Sequence, residues 1–465
     1  MQSSSAGAVP RFVCRPLPVE RFVLPAVRLF DPALGLDTVG DLAVSDGLIR
    51  AVGPDAARPD GAEVLEAYRG CTVFPGFVDM HVHLRSPGQE YKEDVASAAR
   101  AAAAGGYVMV VGMANTAPPV DSGPLAAWVL EQAALGADVL VGQVGAVSRG
   151  LRGEGLAELR ELVDAGVVAF SDDGLPVANA DLLLTALRYL RSTGRPVLLH
   201  LEDRSLSIGG AMHEGAWSAR LGMRGIPGAA ESGPLAQALE VLRHACCEVG
   251  SPSVPGAVAN RVTPLHIQHL SAADSVRLVG KAKTEGLPVT AEASPHHLLL
   301  TDERVQSFDQ NYKMNPPLRS SSDRDALVAG VSEGVIDCIA TDHAPHASHE
   351  KEVPFEDAPF GTVGLETAFA ALYGGLVVPG QLGLGRLVDA LSAGPCRCLG
   401  IEAPRLAAGA PARFCAVDLD EKWVVGPGDL AGKSRNSAFL GERVQGRVLM
   451  TVVEGARRFV RERSM

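Results

Sequence analysis

His81 and His83 stand one residue apart at the end of the apolar run Val73-Phe74-Pro75-Gly76-Phe77-Val78-Asp79-Met80, and Arg85 follows two residues later. Alternate side chains of a strand share a face, so both imidazoles reach one point, which is the arrangement of a metal-binding pair. Groups of the same kind recur downstream: Asn115, the adjacent acids Asp172 and Asp173, then His200, His269 and Asp342. Four imidazoles and two carboxylates exceed what one tetrahedral zinc needs. Either two metals share a bridging carboxylate, or one metal leaves several groups free. A metal here lowers the pKa of bound water from about 15.7 towards 7 and polarises a carbonyl. A carboxylate beside it can take the water's proton and pass it to a departing nitrogen; Asp342, in Ala340-Thr341-Asp342-His343-Ala344-Pro345-His346, is assigned that work. The planar fork of Arg85 suits a substrate carboxylate, and Asn115 and His346 are candidates for the same anion or its neighbouring amide. His266, His343 and the pair His296-His297 are read as supporting or structural.

Such a set needs a scaffold that brings distant residues to one place. Apolar strand-like runs occur near 77-83, 107-113, 139-145, 167-171, 196-200, 264-269, 288-293 and 336-341. Each is followed by a segment of helical composition, at 92-104, 123-136, 154-165, 179-193, 233-248, 271-285, 322-333 and 364-376. Strict alternation reads as a parallel sheet covered by helices, and eight such units close into a TIM-like (β/α)8 barrel of the α/β class. No G-x-G-x-x-G follows the first strand to favour an open, doubly wound sheet. In a barrel the chemistry sits at the carboxyl ends of the strands. His81 and His83 end strand one, Asn115 follows strand two, and Asp172 and Asp173 end strand four; His200, His269 and Asp342 end strands five, six and eight. All fall on one rim.

The barrel is expected over 76-403. The flanks, 22-75 and 404-465, carry short alternating strands too few to build separate cores, so they are expected to join in one small composite β-sandwich. Residues 1-21 read as a poorly ordered extension and 250-263 as a Pro-rich surface loop; 343-363 lie beside the site, where they can help close it.

The formal charge of -12 carries no basic stripe, which argues against nucleic acid or an anionic membrane and for a small-molecule substrate. The eight cysteines show no C-x-x-C pairs and no regular disulfide framework, so they read as reduced thiols. The uncharged stretch from Ala101 to Val120 is broken by Gly105-Gly106, Asn115 and Pro118-Pro119, as a helix end and a buried strand would be. Nothing in the first twenty residues resembles a secretory signal, and a cytoplasmic location is expected.

Several ordered motifs carry a family resemblance: Pro75-Gly76-Phe77-Val78-Asp79-Met80-His81-Val82-His83-Leu84-Arg85, Phe170-Ser171-Asp172-Asp173-Gly174, His200-Leu201-Glu202-Asp203, Asn315-Pro316-Pro317-Leu318-Arg319, Ile339-Ala340-Thr341-Asp342-His343-Ala344-Pro345-His346 and Pro359-Phe360-Gly361-Thr362-Val363-Gly364-Leu365-Glu366. From about residue 22 to 460 the chain resembles the class I dihydroorotases of the amidohydrolase superfamily. The resemblance implies zinc (Zn2+), one or two per subunit, and reversible interconversion of L-dihydroorotate and N-carbamoyl-L-aspartate in pyrimidine (UMP) synthesis. It makes His81, His83, His200 and His269 ligands, with Asp342 as ligand and acid/base. Asp173 stands where the family's bridging aspartate stands, 27 residues before His200, with Asp172 as the alternative. Substrate contacts fall to His83, Arg85, Asn115, Asn315 and His346 and to the backbone around Phe360-Gly361. The resemblance leaves open a homodimer and a complex with aspartate transcarbamoylase. Where the family has Met-Pro-Asn-Thr this chain has Met113-Ala114-Asn115-Thr116, which could loosen the loop carrying Asn115. Hydantoinases and their ring-opening relatives usually bridge two metals with a carboxylated lysine, and no lysine lies between Asp138 and Val279.

Overall fold

The apolar runs become strands with both faces covered, as continuous Val, Ile and Leu stretches require in a parallel sheet. In the computed structural model, which describes residues 9–247 and 263–461, they are β1 (Phe77–Val82), β2 (Tyr107–Gly112), β3 (Leu140–Gly145), β4 (Ala169–Phe170), β5 (Val197–Leu199), β6 (Leu265–Ile267), β7 (Val289–Ala293) and β8 (Cys338–Ile339). Each pairs in parallel with the next in chain order. The ring is drawn shut just past the strand ends, where Val82 bridges His343 and the His83 amide donates to the His343 carbonyl at 2.9 Å.

The intervening helices are α1 (Val95–Ala104), α2 (Gly123–Gly136), α3 (Leu159–Ala165), α4 (Ala180–Leu190), α5 (Ala229–Cys247), α6 (Ala273–Thr284), α7 (Ser321–Glu333) and α8 (Ala368–Leu372). Local chemistry starts them. The Asp94 carboxylate accepts from the Ser97 amide at 2.8 Å while Ser97 Oγ accepts from the Asp94 amide, a reciprocal cap ahead of the alanine run of α1. Asn179 caps α4, whose Leu182, Leu183, Ala186, Leu187 and Leu190 recur at helical spacing and are all buried. Each such leucine contributes about 1.5–3 kcal/mol. Alanines on α1 let that helix lie close against the sheet, and Gly76 does the same at the barrel entrance: a Cβ there would lie 2.2 Å from Val108.

The flanking segments do combine. Strands Phe22–Asp31, Leu36–Ser45, Leu48–Gly53, Glu63–Val64 and Thr72–Pro75 join Phe414–Val424, Arg443–Val453 and Ala456–Val460, with Thr72–Pro75 pairing antiparallel to Phe414–Val424 at the seam. The expected sandwich takes the form of one hydrogen-bonded sheet bent on itself. Bulges interrupt the register at Leu24/Val27, Ala43/Val44 and Ala416/Val417, and the Ile49 amide at the far edge donates to Ala410 next to the other half. Phe22, Leu29, Val44, Ile49, Phe414 and Met450 share its separate apolar core.

The N-terminal expectation is corrected for residues 9–21. Val13 bridges Val141 of β3, the Arg11 amide donates to Gly166, and Arg15 pairs with Asp138 at 2.6 Å. Phe12 packs on Gly142, where β3 has no side chain in its way, so the segment gains a partner that composition does not reveal. Residues 1–8 and nearly all of the 250-263 loop lie outside the described residues. Among the described residues no helix is long and apolar enough to cross a membrane.

Candidate metal centre and active site

The site grows from the places where the strands end. β1 delivers His81 and His83, and the chain then turns through Arg85; His200 follows β5, His269 follows β6 and Asp342 follows β8. Arg85, His269 and Asp342 carry φ values of 59°, 30° and 49°, in the left-handed region that non-glycine residues avoid. Backbone strain of this kind persists where surrounding structure holds a side chain at a required point.

Around that point each imidazole shows one nitrogen inward. His81 Nδ1–H donates to Glu292 Oε1 at 2.6 Å, which leaves Nε2 facing Asp173 Oδ1 at 3.4 Å and Asp342 Oδ1 at 3.5 Å. His83 Nδ1–H donates to Asn115 Oδ1 at 2.9 Å, with Nε2 at 3.0 Å from Asp342 and 3.5 Å from Asp173. His200 is anchored the other way, Nε2–H to Glu202 at 3.3 Å, and turns Nδ1 to within 2.9 Å of His269 Nε2. Asp173 Oδ1 lies 3.8 Å from His200 Nδ1 and 3.7 Å from His269 Nε2. Outer acceptors that fix the tautomer and aim the free lone pair are the signature of metal-ligating histidines.

The donor set fits a cation. His81, Asp173 and His269, and separately His81, His83 and Asp342, place ligand atoms within 4.8 Å of one another. Asp173 Oδ1 is fully buried and accepts no hydrogen bond, a state that a carboxylate oxygen sustains only beside positive charge. Burial opposes charge on His81, Asp173 and Asp342, and the neighbours override it. Asp173 and Glu292 hold His81 well above the ordinary histidine range; His81 holds Asp173 far below the carboxylate range, and His81 with His83 does the same to Asp342.

The two adjacent acids separate cleanly. Asp172 turns away from the rim and accepts from the Val147 and Ser148 amides at 2.8 and 2.9 Å and from the Ser148 hydroxyl, whereas Asp173 faces all four imidazoles.

A cavity of about 250 Å³ opens over the centre and is lined by every site residue expected from the sequence except His81, which lies fully buried beneath it. Asn115 is not loose: the Ala114 carbonyl accepts from the Thr116 and Val120 amides at 2.9 Å, and Asn115 Oδ1 is held by His83. Asn315 donates to Glu202 at 3.3 Å. His346 Nε2–H donates to the Phe360 carbonyl at 2.8 Å; burial, reinforced by Arg85, pushes its pKa down to about 3, so the ring is neutral. Phe360 and Gly361 line the cavity, but the Gly361 amide is committed to the Lys313 carbonyl at 2.8 Å, which removes one of the backbone donors expected to meet substrate. The loop that carries them is tied down by Lys351 Nζ, which donates to Gln310 and Pro359 carbonyls at 2.9 and 2.8 Å.

Three acids were missed. Glu292 on β7 receives His81 Nδ1 and, at 3.1 Å, His266 Nε2; Asp79 on β1 accepts from the His81 amide at 3.0 Å and the Thr341 amide at 3.1 Å; Glu202 anchors His200. Burial lifts Asp79 to about 6, while His81 and His266 outweigh burial to bring Glu292 down to about 2. For Asp79 and Glu292 the signal was available as a single acid inside an otherwise apolar run, Val78-Asp79-Met80 and Ala291-Glu292-Ala293. His297 donates to the Pro316 carbonyl at 2.9 Å, and burial takes its pKa to about 4.

Residues 72–457 match the model of the Amidohydrolase family. A dihydroorotase from Geobacter sp. (strain M21) is 44% identical over 428 residues, covering 92% of this chain and 96% of that protein. One from Anaeromyxobacter dehalogenans (strain 2CP-C) is 46% identical over 430 residues, covering 92% and 95%. Among solved structures, the L-hydantoinase (dihydropyrimidinase) of Arthrobacter aurescens superposes with a TM-score of 0.80 at 24% identity, covering 95% of this chain and 96% of that one, which speaks to the fold alone. The chain belongs to the amidohydrolase family and groups within it with the dihydroorotases, a branch of cyclic amide hydrolases.

Proposed function

We propose that the chain is a zinc-dependent dihydroorotase that interconverts N-carbamoyl-L-aspartate and L-dihydroorotate in pyrimidine synthesis. One observation carries the substrate class. Arg85 presents a half-buried guanidinium to the cavity, its Nε donates to the Pro345 carbonyl at 3.1 Å, and among the described residues no carboxylate lies within ion-pair distance of it. Glu90 and Asp94, the acids that could have paired with it on the surface, are spent elsewhere: Glu90 accepts from the Gly88 amide and Asp94 caps α1. A desolvated cation is costly unless an anion arrives to pair with it, and a substrate carboxylate supplies a two-point match.

His81, His83, Asp173, His200, His269 and Asp342 are the residues that would hold zinc. When bound, it supplies Lewis-acid polarisation of a carbonyl and makes water acidic near neutral pH. Arg85 receives the carboxylate, with Asn115, Asn315 and His346 around it, and so fixes which ring amide faces Asp342. Asp342 is ionised, stands 3.0 Å from His83 Nε2 and opens on the cavity, which suits a proton acceptor. In hydrolysis it takes the proton of the attacking water as the new C–O bond forms, then delivers it to the ring nitrogen as the C–N bond breaks; that nitrogen becomes the terminal amide of the carbamoyl group. Ring closure runs the same transfers backwards.

The test is conversion of N-carbamoyl-L-aspartate to L-dihydroorotate by purified protein before and after chelation. Turnover that vanishes on chelation and returns with zinc is expected. Zinc-loaded protein that leaves dihydroorotate intact would rule the reading out, and opening of uncharged hydantoin rings at a comparable rate would remove the role given to Arg85.

A further inference from the structure

Beneath the rim, on the floor of the barrel, lies a second cluster of ligand-type side chains, of which the site above uses only Glu292, as the partner of His81. His266 of β6, Glu292 of β7 and Cys338 of β8 are buried, with one ligand atom from each within 4.8 Å of the others. Cys398, on α9 (Ala393–Leu399), brings its Sγ to 3.9 Å from Cys338 Sγ, and Met80 Sδ lies 3.6 Å from the same Sγ. Cys338, Cys398, His266 and Glu292 show no measurable exposure.

From this geometry we infer a second metal site, formed by Cys338, Cys398, His266 and Glu292, that takes a thiophilic divalent cation of the zinc class. Two thiolates on one tetrahedral zinc, at about 2.3 Å each, stand about 3.8 Å apart, close to the separation of the two sulfurs. His266 Nδ1 is already committed to Thr290 Oγ1 at 2.8 Å, the outer hydrogen bond that leaves Nε2 as the ligating atom. The set of one nitrogen, one oxygen and two sulfurs, with a thioether alongside, is softer than the all-nitrogen and oxygen set of the rim, so the two sites differ in the ions they retain. Glu292 touches both, through Oε1 to His81 and Oε2 to His266, and the floor ion would tie β6, β7 and β8 to α9 at the seam of the barrel.

The difference in donor type makes the site separately visible. Full-length protein with Cys246 and Cys247, the two exposed thiols, changed to Ser is stripped of metal and reloaded with Co2+ alone. Thiolate ligation gives an intense near-ultraviolet sulfur-to-cobalt band that histidine and carboxylate ligands do not produce. The expected result is that band, with one more cobalt per chain than in the same protein carrying Cys338→Val and Cys398→Val, which keeps its rim cobalt. Absence of the band in the parent protein would overturn the site, and so would a band that survives the double substitution or a Cys338–Cys398 disulfide in unreduced peptides. Should the double variant fail to fold, Cys398→Ser alone, expected to weaken the band, takes its place; an unchanged band there counts against the site.

Discussion

The rim and the terminal sheet are built from one chain by opposite rules. In the sheet, apolar alternation buries Phe22, Val44, Phe414 and Met450 against one another, and the buried Asp31 carboxylate is satisfied by the Ala33 and Leu406 amides at 3.0 and 2.9 Å. At the rim, Asp173 Oδ1 is left bare, Arg85 has no carboxylate within ion-pair distance among the described residues, and three residues hold strained backbone angles. The contrast recurs between neighbours, since Asp172 accepts three hydrogen bonds and Asp173 faces four imidazoles. The bare Asp173 oxygen and the Arg85 guanidinium thus lie together where a ligand can supply their partners, and that coincidence locates the site more sharply than charge or burial alone.

The comparison can be broken most severely at Asp342. Asp342→Ala should lower turnover by about 10²–10⁴-fold or more in steady-state assays, and a near-wild-type rate would remove the proton-transfer role. Next comes a contrast in pH. Burial, with Lys313 adding to it, takes Lys351 down to about 7, against an ordinary value of about 10.4 in the unfolded chain. Between these values the unfolded chain binds more protons, so this group makes stability rise with pH from about 7 to 10; below 7 its cost is full, roughly 5 kcal/mol. Denaturant titrations across that window should show the rise in wild type and a flatter curve for Lys351→Met; parallel curves would contradict the assignment.

Arg85→Met should weaken carboxylate substrates by about 1.5–3 kcal/mol, read as the change in kcat/KM, and unchanged values would send the arginine elsewhere. The smallest effect sharpens the comparison of neighbours. Asp172→Asn should cost about 1–2 kcal/mol of stability with metal content intact, whereas Asp173→Asn should lose metal while the stripped proteins stay equally stable. The reverse pattern in elemental analysis and melting would exchange the two roles.

Much of this was legible in one dimension. Period-2 and period-3.6 patterns place the eight strand and helix units, because burial on a sheet or helix face imposes its repeat on the sequence locally. The histidines were legible because each ends a strand. Asp79, Glu292 and Glu202 were not picked out, since each acts through a partner far along the chain; His81 and Glu292 are 211 residues apart. The order of residues 9–21 escaped for a related reason: its cause is an open face beside Gly142.

Residue order alone determined the alternating units, the family resemblance, and which residue types arrive at strand ends, because those follow from local spacing. Only the folded chain decided which of two adjacent acids faces the imidazoles, which ring nitrogens are free, that Arg85 meets no carboxylate among the described residues, and that cysteines 60 residues apart meet under the rim. Those outcomes depend on hydrogen-bond competition between elements distant in sequence, and that competition has no period to read.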